Sequence, residues 1–167
     1  MEDKEILQVK TSYGVLRYWR DWESDGAINM IEPKTIKTYQ KIKGGQVDST
    51  KYAVFFAFSN EQFDKGVAEL KQKGLMQEGE KIYSYGAGLL GTKRGLDEYL
   101  QALNTLSKNM NKLIREQCDP QEVYFYEYNN YESMINWDGD KEAIECIRDI
   151  WGEDVADSIK RYSVYSK

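Results

Sequence analysis

Residues 52–74 read YAVFFAFSNEQFDKGVAELKQKG, and this stretch decides the fold class. The nearly unbroken apolar run over 52–58 predicts a central strand buried on both faces. Ser59 follows as a hydroxyl N-cap with Gln62 three residues on, a pairing that satisfies the first donors of a helix. Phe63, Val67 and Leu70 then recur at helical spacing as far as Gly74. One strand therefore passes directly into one helix.

Downstream, 77–81 reads as a turn, 82–85 as a short strand, and the segment from Gly86 to Gly91 as a glycine-rich bend. The longest pattern is an amphipathic helix over about 93–117, with Leu96, Tyr99, Leu100, Leu103, Leu106, Met110, Leu113 and Ile114 at three- and four-residue intervals. Cys118-Asp119-Pro120 stops it, since proline disfavours helical geometry in the residue before. Residues 122–128 and 131–137 alternate like paired strands around Asn129-Asn130, which tolerate a tight turn. Asp138-Gly139-Asp140 opens a helix carrying Ala143, Ile144, Ile147 and Trp151, and a last helix carries Val155, Ile159 and Tyr162.

Upstream, 6–11 and 15–22 read as a hairpin around Ser12-Tyr13-Gly14, with a helix through the same span as the competing reading. Pro33 starts a short helix through Ile36, Tyr39 and Ile42 that ends before Gly44-Gly45. The expected fold is α+β, a single globular domain over 1–167 with a small, mostly antiparallel sheet packed with amphipathic helices.

Composition narrows the chemistry. The 167 residues contain no histidine, which removes Ser-His-Asp and Cys-His sites and histidine-ligated zinc from this chain. Two cysteines, Cys118 and Cys146, stand far apart with no C-x-x-C spacing. No apolar run approaches the roughly 18 residues that cross a bilayer, and the chain opens on acidic residues, so a cytoplasmic protein without membrane contact is expected. The net charge of −5 is concentrated: residues 118–167 hold twelve acids against five bases. Such a face repels nucleic acid and attracts basic protein surfaces, or simply keeps the chain in solution.

Four candidate sites emerge. Tyr124, Tyr126 and Tyr128 fall on one side of the expected strand with Tyr131 close by, either as interface anchors or packed under a helix. With Glu132, Asp138 and Asp140 they form the expected partner-binding set. Asp138 and Asp140 with Glu127, Glu132 and Glu142 suit a divalent cation, although an aspartate capping the following helix explains them as well. Gly86-x-Gly88-x-x-Gly91 matches a dinucleotide loop, but no acidic residue ends a second strand about twenty positions on. Lys34, Lys37 and Lys41 share one face of the first helix, as direct RNA contacts or as its wet side. Cys118, at a helix C-terminus beside Asp119, lacks the cationic surroundings of a reactive thiol. The reading expected is a protein without catalytic residues, metal or cofactor.

Three blocks carry a resemblance: FAFSNEQF at 56–63 with Gly66, KIYSYGAG at 81–88 and YEYNNYE at 126–132. The chain resembles a family of uncharacterised small proteins of bacterial phages, prophages and mobile elements. In that family the third block tends to carry Asn-His-Glu, where this chain has Asn130-Tyr131-Glu132, so any chemistry of that histidine is missing here. The resemblance implies an accessory protein that binds host machinery. An anti-CRISPR-like inhibitor of an RNA-guided nuclease, or of another nucleic-acid or defence enzyme with a basic surface, is the corresponding partner class. The alternatives are a small metal- or nucleotide-binding enzyme using the Gly86 bend and nearby carboxylates, or an RNA-binding protein.

Overall fold

A computed structural model describes residues 4–23, 26–132 and 139–163. Among them are six helices and two antiparallel three-stranded sheets, an α+β arrangement. They fall into two compact units, one within Met1–Gly44 and Met110–Lys167, the other Gly45–Asn109.

The first unit opens with the expected hairpin, β1 (Leu7–Thr11) against β2 (Gly14–Asp21), followed by a third strand, β3 (Ala27–Ile31). Leu16 and Tyr18 of β2 and Ile28 of β3 point into the core. Helix α1 (Ile36–Lys43) starts three residues after Pro33, because the two residues between are held outside it: the buried Glu122 carboxylate accepts from the backbone N–H of Lys34 (3.1 Å) and Thr35 (2.9 Å).

The largest departure from expectation is at 120–132. Instead of a hairpin strand this segment is helix α4 (Pro120–Glu132). Asp119 caps it by accepting from Gln121 N–H at 3.1 Å, and Pro120 occupies the first helical position, where its missing N–H costs nothing. The signal that ends one helix also starts the next. Val123, Tyr124, Phe125 and Tyr128 of α4 are all fully buried among β2, β3, α1 and α5 (Gly139–Trp151). The last expected helix shortens to α6 (Glu153–Asp157), after which residues 158–163 form a turn and irregular chain that carries Ile159 and Tyr162.

The second unit holds β4 (Val54–Phe56), α2 (Asn60–Gln72), β5 (Tyr83–Gly86) and β6 (Leu89–Gly91). It also contains the start of α3 (Lys93–Gln117), whose limits are those read from its periodicity. Ser59 Oγ accepts from Gln62 N–H at 3.2 Å, the cap expected for α2. The apolar run at 52–58 yields only a three-residue strand, and the sheet order β4-β6-β5 puts it at an edge rather than at the centre. Val54 and Leu89 pack with Leu96 and Tyr99 of α3 to form this unit's core.

Candidate interaction surface

The tyrosines expected to anchor a partner are structural. On a helix, positions 124 and 128 share one side while 126 lies on another, so no strand face of three phenols exists. Tyr124 donates to Asp140 Oδ1 at 2.6 Å and accepts from Tyr162 N–H at 2.9 Å. Tyr128 accepts from Arg20 at 2.8 Å. Both rings are sealed from solvent, which takes them out of reach of any partner. Tyr126 is half-buried with its ring edge-on to Tyr39, and Tyr131 is half-buried at the end of α4. Asp140 is gripped by Arg161 through both carboxylate oxygens, at 3.0 and 2.7 Å. Asp138 and the side chain of Glu132 lie outside the described residues.

Other side chains of α4 replace missing backbone partners. Asn129 accepts from Ile28 N–H at 2.9 Å and donates to its carbonyl at 2.7 Å, pairing with β3 as another strand would. Gln121 does the same to Lys160, at 2.8 and 3.0 Å. The acids and amides of this block thus hold the unit together.

The remaining candidates are also reassigned by their surroundings. Gly86 to Gly91 forms the β5–β6 hairpin, in which Ala87 and Gly88 make a two-residue turn with φ of 49° and 80°. A dinucleotide loop opens a helix, and here the three glycines lie within the hairpin. Lys34 precedes α1 and donates to the Tyr13 carbonyl at 2.5 Å, leaving Lys37 and Lys41 of the three on the helix, where Lys43 is exposed as well. Among the described residues, no group of three acidic or cysteine side chains is placed to hold a metal ion.

Tyr39, Glu127 and Cys146 do converge in the first unit, with the Tyr39 hydroxyl donating to Glu127 at 2.7 Å. Burial pushes both the Tyr39 phenol and the Cys146 thiol up, and their acidic neighbour Glu127 pushes further. Cys118 is likewise pushed up to about 11, by burial and then by Glu122. Such groups stay protonated at neutral pH, where the thiol is a poor nucleophile. Burial raises the Asp119 carboxyl as well, partly offset by the Gln121 N–H. Asp140 goes the other way: burial opposes its ionisation, but hydrogen bonds from Arg161 and Tyr124 and the charge of Arg161 outweigh that and hold it below the usual carboxylate range.

Tyr13 and Trp22 are exposed in the first unit, and four more exposed aromatics stand together in sequence and sheet in the second. Phe56, Phe58, Tyr83 and Tyr85 are 50%, 78%, 50% and 64% exposed, all on or beside the β4-β6-β5 sheet. Register places two of them on one face. Val54, Gly91 and Tyr83 lie opposite one another, as do Phe56, Leu89 and Gly86, so Phe56 and Tyr83 share the face that buries Val54 and Leu89. Phe58 lies against Gly88, where a Cβ would overlap its ring. The opposite face is covered by α2: Phe55 meets Phe63 edge-on at 5.9 Å and fits beneath Gly66, where any side chain would overlap the ring. Between β4 and α2 opens a cleft of about 440 Å³, with Gln62, Lys65, Glu69 and Lys73 along one side of the helix. This surface was missed in the sequence because the run over 52–58 reads as fully buried.

A family model matches residues 38–161. The chain belongs to DUF7659, a family of unknown function. The DUF7659 match takes in the whole second unit and helices α4 to α6, while β1 to β3 fall outside it. No curated protein and no solved structure matches the chain. No helix among the described residues is long and apolar enough to cross a membrane.

Proposed function

We propose that this DUF7659 chain is a non-catalytic binding protein that docks on another protein through the aromatic surface of its second unit. The observation carrying this reading is the clustering of Phe56, Phe58, Tyr83 and Tyr85 in solvent on one three-stranded sheet. Large exposed aromatics are enriched where proteins meet, because each ring covers much area with few rotatable bonds. Packing of Phe58 on Gly88 limits the ordering that docking requires.

Charge supports a basic partner. Glu145, Asp149, Glu153, Asp154 and Asp157 are exposed along α5 and α6, and Arg148 is already engaged by Glu145 (2.8 Å) and Glu153 (2.5 Å). Such a face speeds encounter with a positive surface. The resemblance to phage and mobile-element proteins makes a host nucleic-acid-processing or defence enzyme, RNA-guided nucleases included, the partner class to search, within the cytoplasm. Affinity purification of the tagged chain from host cells, beside a Phe58→Ala/Tyr85→Ala variant, tests this. A stoichiometric partner that the variant loses is the expected result. Recovery of none at low salt, or of one indifferent to both substitutions, sinks the reading.

A further inference from the structure

The edge of β4 has unused hydrogen-bonding capacity. Ala53 C=O accepts from Thr92 N–H at 3.1 Å, and Ala57 N–H donates to Gly88 C=O at 2.9 Å. Backbone groups alternate in direction along a strand, so 53, 55 and 57 face β6 while 54 and 56 face away from it. Of the outward groups, Val54 N–H donates to Tyr52 C=O (2.8 Å), and beyond Phe56 the N–H of Phe58 donates to Gln62 (2.7 Å). Between these two fixed points the Phe56 N–H and C=O face away from β6, and Phe56 lines the cleft beside α2. Open strand edges are normally guarded by charge, proline or a bulge. Residues 52–58 contain neither a charge nor a proline, and the β4–β6 register is regular. The opposite edge, β5, has an irregular register between Ser84 and Gly86.

We infer that this edge is a strand-addition site, at which an extended peptide segment of the partner pairs with the backbone of Phe56 in the cleft between β4 and α2. The inference rests on the binding function proposed above and names its recognition chemistry. Main-chain pairing supplies affinity, and alternate apolar side chains of the peptide meet Phe56 and Phe58. Lys65 and Lys73 flank the single Glu69 on the helical wall, so the cleft favours a peptide with an acidic side chain on that side. A second copy of this chain would bring the same uncharged strand and the same lysines, and so lacks that complement. Nucleic acid is disfavoured because residues 45–109 hold eight acids and eight bases, leaving no net attraction for phosphate.

The test pans a random ten-residue display library on the full chain, then synthesises the most enriched peptide for calorimetry and NMR. The expected peptide alternates apolar residues and carries Asp or Glu, and it shifts the Phe56 amide. N-methylation at successive peptide positions weakens binding about tenfold at alternate positions only, as loss of every second main-chain donor requires. Phe56→Pro removes the outward N–H together with the ring, costs β4 no bond to β6, and should abolish binding with an unchanged circular dichroism spectrum. The methylation scan uses the unaltered protein, so it decides the matter even if that variant misfolds. Lys65→Glu/Lys73→Glu should weaken binding most at low salt. No enriched peptide, a scan without two-residue periodicity, dimerisation through β4, or preferential uptake of a single-stranded oligonucleotide would each overturn the assignment. If the host partner is captured in a Phe58-dependent way but Phe56→Pro leaves capture intact, strand addition alone fails; if nothing is captured, the binding function itself fails.

Discussion

Helix α4 presents Tyr124, Phe125, Tyr126 and Tyr128 within five residues, and the β4-β6-β5 sheet gathers Phe56, Phe58, Tyr83 and Tyr85. The first set lies almost entirely out of solvent and the second is at least half exposed. A helix with bulky residues on every side is stable only where other elements surround it, and the first unit provides strands and helices around α4. The second unit has one helix for each face of a sheet whose strands are three or four residues long, too little to cover its own aromatics. Aromatic clustering in a sequence therefore reports material for burial, and the number of neighbouring elements decides whether it becomes core or contact surface.

Substitutions sharpen this contrast. Phe125→Ala should have the largest effect, a loss of about 4 kcal/mol of folding free energy from the cavity it leaves, read as a lower urea midpoint. Retained stability in that variant would break the contrast, because it would put α4 outside the core.

Asp140→Asn comes next. Arg161 is half exposed, which discounts the ion pair, while the bond from buried Tyr124 retains its value, so a loss of about 1 kcal/mol is expected at neutral pH. Because the carboxyl of Asp140 is held below its ordinary range, its contribution is complete above about pH 4 and disappears as pH falls through the depressed value. Thermal melts of wild type and variant should therefore converge in acid. Divergence on acidification would contradict the sign of the shift.

The smallest stability effect belongs to Phe58→Ala, within about 0.5 kcal/mol of wild type, since its ring is mostly in solvent already. Partner capture should nonetheless fall. A large drop in melting temperature would return Phe58 to the core and undo the comparison.

Much of the second unit was legible in the residues. Helix α3 appeared to the residue because twenty-five positions sustain one periodicity, and the Ser59 cap of α2 was readable from four. The β1–β2 hairpin was one of two open readings for its span. Helix α4 was misread because the alternation in YFYEY imitates a strand, although Asp119-Pro120 with Glu122 already spells a helix start. The candidate surface failed for the opposite reason, since an apolar run has the same composition at the edge of a sheet as at its centre.

What the sequence determined by itself was local: which segments are amphipathic, where caps and stops fall, and that a chain without histidine lacks the commonest neutral-pH acid–base group. Tertiary structure alone decided that Tyr124 and Tyr128 face inward, that Glu122 binds backbone eighty-eight residues upstream in sequence, just ahead of α1, and that β4 keeps one edge open. Periodicity and capping depend on neighbours within a few positions, whereas burial and strand order depend on segments that meet only once the chain has folded.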